Sequence, residues 1–169
     1  MQVGRLLRHL ATTHWRTRRL FPSSTLDAIE HAIARADALH AGEIRFAVET
    51  ALTPLHIWHQ AAPRTRALAV FAELRVWDTE LNNGVLIYVQ MADRSVEIVA
   101  DRGLQRRVSQ AEWEAVCRLM EEHYRAGRFE LGSIVGVEAV GALLARNFPP
   151  DTSQPTLKQN QLPDRPTLL

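Results

Sequence analysis

Glu43, Asp78, Asn82, Asn83 and Asp101 are the side chains of this 169-residue sequence whose types could do chemistry together, with Glu80 and Arg102 close by in the chain. Carboxylate and amide oxygens are hard donors, the kind that hold calcium or magnesium. A cation there would serve metal-assisted or phosphate-handling chemistry. Without one, the same residue types simply populate strand ends and turns. They lie far apart in sequence, so they form a set only if the fold gathers them. The histidines are a second group. His56 and His59 sit three apart, one helical turn, and His40 lies three before Glu43. Such a pair is compatible with zinc or nickel. No third ligand stands at diagnostic spacing, which leaves them as solvated or hydrogen-bonding histidines. No G-x-S-x-G elbow, phosphate-binding loop or dinucleotide fingerprint occurs. The single Cys117 excludes an internal disulfide and a CxxC metal site. Between Val116 and Arg118, in a helical pattern, it reads as a buried structural thiol. Arg106-Arg107 precede a helix start, where an anion is attracted, and read as surface charge.

The elements that must position these residues centre on 82–104. Val85-Leu86-Ile87-Tyr88-Val89 is an unbroken apolar run rich in β-formers, which predicts a strand buried on both faces. In 95–100, Val96, Ile98 and Ala100 alternate with Ser95, Glu97 and Val99, a strand with one wetter face. The short polar link Ala92-Asp93-Arg94 makes the two a hairpin. Upstream, Pro22-Ser23-Ser24 offers a helix start, and Leu26, Ile29, Ile33, Ala36 and Leu39 recur at steps of three and four up to Gly42. Residues 43–49 alternate as a strand. Residues 51–62, with Pro54, read as a loop with short helix, and Pro63 opens a helix running to about Asp78. Ser109-Gln110-Ala111-Glu112 is a capping box for a helix that stops at Gly127. A last helix covers 129–148. Its Gly132, Gly136 and Gly141 each cost roughly 1 kcal/mol relative to Ala, and close packing on the sheet is the expected compensation.

Strands 43–49 and 84–90 are joined through a helix, so they should run parallel by a right-handed crossover, with 95–100 antiparallel beside the second. Two strand starts and one strand end then share a rim, and Glu43, Asn82, Asn83, Asp101 and Arg102 fall on it, with Asp78 and Glu80 in the loop leading in. The order of elements is α/β, and the wholly apolar central strand calls for helices on both faces of a small mixed sheet.

Asn82-Asn83-Gly84 before the apolar strand, the Asp93-Arg94 turn, the Gly103-Leu104 exit, Gly42-Glu43-Ile44 upstream and Gly127 to Gly132 downstream resemble, in order and spacing, the TPM domain, over about residues 25–148. The resemblance implies a three-layer α/β/α sandwich in a bacterial member of that family. It also implies calcium binding, and the weak acid phosphatase activity attributed to some relatives. Two positions depart from the family pattern: Asn82 stands where an Asp is usual, and Asp101 where Gly is favoured.

The formal net charge of +1 hides an asymmetry. Residues 1–21 carry Arg5, Arg8, Arg16, Arg18 and Arg19 and no acid. This arm has Val3, Leu6, Leu7 and Leu10 at helical spacing, then Trp15, Leu20 and Phe21. Two readings stand: a helix packed on the domain, or an arm on an anionic membrane or partner, which clustered Arg with Trp, Leu and Phe suits. The body, 22–148, is mildly acidic, and no basic stripe with aromatics points to nucleic acid. The tail, 149–169, is polar and Pro-rich and is expected to stay unordered. No apolar run reaches membrane-span length, and no secretory signal is recognisable. The expectation is a cytoplasmic protein, peripheral to the inner face of the membrane, where many TPM relatives are exported or anchored. Two functions are carried forward: a module binding a membrane-associated protein partner, with a calcium or magnesium site, and a weak metal-assisted phosphatase working at the rim.

Overall fold

Every residue of the second strand, β2 (Gly84–Gln90), is buried, with a hydrophobic core on each of its two faces. The computed structural model describes residues 2–53, 62–149 and 160–169. β2 pairs in parallel with β1 (Glu43–Glu49), Glu43 opposite Gly84, and antiparallel with β3 (Ser95–Ala100), Val85 opposite Ala100. Both pairings follow from the connections, a helical crossover in one case and a tight hairpin in the other. A short β4 (Thr167–Leu168) adds in parallel to the other edge of β1, giving the order β3-β2-β1-β4.

The period-two alternation of the strands sorts their side chains into two cores. Ile44, Phe46, Val48, Val85, Ile87, Val89, Val96 and Ile98 face three helices, α3 (Ser23–Asp37), α5 (Gln110–Arg125) and α6 (Phe129–Asn147). Ala47, Leu86, Tyr88 and Val99 face the smaller core with α4 (Pro63–Glu73) and Leu162. The expected three-layer mixed α/β sandwich is what forms.

Helix ends follow local chemistry. Ser109 and Glu112 form the reciprocal capping box at the start of α5. Its end is a Schellman motif: Gly127, at φ +73°, donates to Tyr124, and Arg128 donates to His123. Helix α4 stops five residues short of the expected Asp78, through the same motif with a non-glycine residue. Arg75 takes φ +52° and donates to Ala72, while Val76 donates to Phe71 at 3.0 Å. Burial of Val76 in the smaller core accompanies that reversal.

Two expectations change. The glycines of α6 allow close approach to neighbouring helices, where the sheet was expected. A Cβ on Gly132 would lie 2.7 Å from His123 Cβ, one on Gly136 2.3 Å from Met120 Sδ, and one on Gly141 2.9 Å from Ala36 Cβ. Residues 160–169 of the tail are ordered, held by partners in the domain, while 150–159 lie outside the described residues. Arg45 donates through Nη1 to the carbonyls of Pro163 and Arg165 and through Nη2 to Thr167 Oγ1. Leu162 is buried. Polar composition alone could not reveal a buried guanidinium waiting for those carbonyls.

The basic arm is two helices, α1 (Gln2–Ala11) and α2 (His14–Leu20), with Thr13 capping α2 through the Arg16 amide. Its base is pinned by Phe21, packed edge-on to Phe129 and Tyr124 at 5.7 and 6.3 Å.

Candidate functional site

The topology brings Glu43, Asn82, Asn83, Asp101 and Arg102 to one rim and leaves Asp78 in the loop leading in. The Glu43 amide donates to the Asn83 carbonyl at 3.4 Å, and the Asp101 amide to the Gly84 carbonyl at 2.9 Å. Arg102 Nε donates to Asn82 Oδ1 at 2.8 Å. Asn82 sits at φ +51°, a conformation that Asn tolerates. Its carbonyl there accepts the Gly103 amide, so close that a Cβ on Gly103 would lie 2.4 Å away. Asp78 is in the leading loop, exposed, its amide donating to the Arg75 carbonyl.

What the side chains do differs from residue to residue. Glu43 is buried, and its Oε2 accepts the amides of Gln161 and Leu162, both at 3.3 Å. It therefore holds the returning tail. Asn83 is buried too; its Nδ2 donates to the Ala41 carbonyl and its amide to Thr79 Oγ1. Asp101 Oδ1 accepts the Arg102 amide at 2.7 Å. Its Oδ2 is buried and has no hydrogen-bond partner among the described residues. A buried acceptor left unpaired costs about 1–3 kcal/mol, more when charged.

The five residues do not make a finished calcium shell of six to eight oxygens. Glu43 is committed to backbone amides, and Asn82 to Arg102. No cluster of three or more His, Cys, Asp or Glu suited to a metal occurs among the described residues. His56 and His59 lie outside those residues. His40 is buried, its Nδ1 3.1 Å from the Gly42 carbonyl and its Nε2 3.6 Å from Asp37 Oδ1, an internal hydrogen-bonding role. Cys117 is half-buried, and burial pushes its thiol up to about 12.

The other end of the sheet holds groups that the sequence reading did not single out. Asp93, at the hairpin tip, is met by Arg5 and His9 from α1. The Leu52 amide donates to His9 Nδ1 at 2.9 Å, which puts the ring proton on Nε2, facing Asp93 at 3.1 Å. Burial opposes the charged form of Asp93, but the hydrogen bonds from Arg5 and His9 outweigh it and hold the carboxyl below its usual range. A signal was present: Arg5, Arg8 and His9, at spacings of three and four, share one helical face. At the end of β1, Glu49 accepts from Arg66 Nε at 3.0 Å and from the Tyr88 hydroxyl, and Arg66 also reaches Glu73. Burial and the Glu49 hydrogen bond both push the Tyr88 hydroxyl up, which makes it a fixed donor.

Among the described residues no helix is long and apolar enough to cross a membrane. No curated protein matches the sequence. The fold is similar to that of the BA42 protein from the psychrophilic bacterium Bizionia argentinensis, known from an NMR structure. The two are 29% identical with a TM-score of 0.74, over 87% of this chain and 94% of that one. The family model of the TPM domain matches residues 17–143, from within α2 to within α6, including both hairpin strands and the rim. The chain belongs to the TPM domain family.

Proposed function

We propose that this TPM domain is a binding module for a membrane-associated protein partner, with the arm helices as its contact. The observation that carries the reading is the outer side of the arm. Leu7, Leu10 and Trp15 are 60%, 62% and 70% exposed, interleaved with the exposed Arg8, Arg16, Arg18 and Arg19. Apolar and aromatic side chains set among arginines suit an interface that is both greasy and anionic. Each arginine contributes about 1 kcal/mol near an anionic surface, and the attraction weakens with salt. The arm is docked through Asp93 on one side, so it would present its other side as a rigid unit. The decisive experiment combines co-sedimentation with anionic vesicles and pull-down from a membrane fraction. Leu7→Ser, Leu10→Ser and Trp15→Ser together should abolish capture at unchanged melting temperature. Equal capture of the triple variant would end this reading.

The second reading is a weak phosphatase assisted by a divalent cation at the rim, and Asp101 Oδ2 favours it. Magnesium keeps several waters and is held by one or two carboxylates, which suits the donors left on this rim better than calcium does. A cation held there raises the melting temperature by mass action, several degrees well above its dissociation constant. Asp101→Asn should remove that rise and any phosphomonoesterase turnover. No shift with magnesium or calcium at millimolar concentration would leave the binding module alone.

A further inference from the structure

We propose that the outer edge of β1 is a peptide-binding groove in which residues 160–169 are an exchangeable ligand, and that it takes the same segment from a second copy of this chain. The body supplies a full set of grips for an extended segment. Arg45, a buried guanidinium, donates to the carbonyls of Pro163 and Arg165 at 2.5 and 2.6 Å and to the Thr167 hydroxyl. Glu43, also buried, accepts the amides of Gln161 and Leu162. Further along, Ala47 and Val48 pair in parallel with Thr167 and Leu168. The Leu169 amide donates to the Val48 carbonyl at 2.8 Å, and the Thr50 amide to the Leu169 carbonyl at 3.2 Å. This is strand addition at a sheet edge, where main-chain bonds supply the grip and side chains the selection. Three side chains select. Leu162 is buried in the smaller core, Thr167 meets Arg45, and the exposed Arg165 reaches Asp27 and Glu30 of α3 at 2.8 and 2.7 Å. The groove therefore reads Leu-x-x-Arg-x-Thr.

Chain length lets the segment reach a groove other than its own. The Phe148 carbonyl accepts the Ala41 amide at 2.9 Å, and the Gln161 amide is anchored on Glu43. The short path from Ala41 to Glu43 puts residues 148 and 161 at most roughly 25 Å apart, while the chain between them can span about 43 Å. Each grip named above joins the segment to a residue before position 51, so severing the chain between 150 and 159 leaves all of them intact. A tethered segment meets its own groove at an effective concentration of about millimolar. When two copies exchange segments, every contact is kept on both sides, so the exchanged dimer forms as the protein approaches that concentration. A foreign peptide must match the three selected positions; the segment of a second copy does so by identity.

The test keeps the whole chain. A specific protease site is placed within 150–159 and cut in the folded protein, leaving segment and body as two pieces of one complex. A fluorescent peptide of residues 160–169 should then enter the groove saturably and displace the cut segment. Substitutions are carried by the peptide, so the body's folding is untouched. Thr167→Val and Leu162→Ser should each weaken binding about tenfold or more. Arg165→Gln, whose ion pairs are exposed, should weaken it less than about fivefold. In the uncut chain the same peptide should bind far more weakly, because the tethered segment competes. Sedimentation of the uncut chain should show a dimer growing in as the protein nears about 1 mM, and cutting within 150–159 should return it to monomers. A peptide that never enters the cut protein, or that enters equally well with Thr167→Val and Leu162→Ser, overturns the groove. A chain still monomeric at on the order of 1 mM, or a dimer that survives the cut, overturns exchange between copies.

Discussion

Arg5 and Asp93, 88 positions apart in the chain, meet in an ion pair, Nη2 donating to Oδ2 at 2.6 Å and Nε to both carboxylate oxygens at 3.1 Å. Asp93 is 8% exposed on its side chain and Arg5 21%. The pair ties the first helix to the hairpin tip, and the arm's position depends on it.

Asp93→Asn should therefore loosen the arm more than the domain. A charged hydrogen bond of this kind contributes about 1.5–3 kcal/mol, so amide exchange across residues 2–20 should speed up while the strands remain protected. The pH dependence has a definite sign. The folded carboxyl lies below its usual value, so the released state binds more protons than the docked one. Docking is then fully stabilised above the ordinary carboxylate value of about 4 and is lost as pH falls through the lower, docked value. Exchange in the arm that does not change below pH 4 would show that the pair does not hold it.

Removing residues 160–169 should destabilise the domain well beyond the loss of a two-residue strand. Burial pulls the Arg45 guanidinium below its usual range, and its partners Pro163, Arg165 and Thr167 all go with the tail. Leaving a buried charge without its partners costs about 3–5 kcal/mol. Arg45→Met in the shortened chain should recover part of that in urea denaturation. If the methionine variant is no more stable than its parent, the tail acts through Leu162 alone.

Two glycines should respond to alanine to very different extents. At Gly84 a Cβ would lie 2.0 Å from the Val76 carbonyl oxygen, a backbone atom that cannot step aside. Gly84→Ala should cost more than about 4 kcal/mol or prevent folding. At Gly136 the obstacle is the flexible thioether of Met120. There the gain in helix propensity, about 1 kcal/mol, offsets much of the repacking, so Gly136→Ala should change stability by less than about 2 kcal/mol. Comparable losses at the two positions would contradict this packing.

Cys117 should be nearly inert to alkylation at neutral pH. Burial raises its thiol to about 12, so at pH 8 roughly one molecule in ten thousand carries the reactive thiolate. Labelling by iodoacetamide should rise about tenfold per pH unit up to pH 10 and should jump on unfolding. Rapid labelling of the folded protein at pH 7 would mean that the thiol is not sheltered between α5 and β3.

The sequence by itself determined the strands, their directions and most helix ends. Val85 to Val89 can only be a strand covered on both sides, and a four-residue link, Met91 to Arg94, forces the antiparallel return. Ser109 with Glu112 and Gly127 fix their helix ends through contacts within a few residues. From those directions the common rim of Glu43, Asn82, Asn83 and Asp101 follows as geometry. Only the tertiary structure decided what each rim side chain does, because that depends on pairing across the fold, from Asn83 with the Ala41 carbonyl to Glu43 with amides more than a hundred residues away. Glu43 accepts amides from 161 and 162, and Arg45 draws down a tail that composition alone reads as loose. The glycines of α6 read as a packing surface in the sequence, but which helix lies on them is a matter of layer order. Unpaired buried atoms were illegible for the same reason. Thr17, Gln90 and Ser95 are ordinary polar residues along the chain, and what sets them apart is that each has one buried polar atom with no hydrogen-bond partner among the described residues. Local hydrogen-bonding and periodicity act over a few residues and survive in one dimension; burial and pairing across the fold do not.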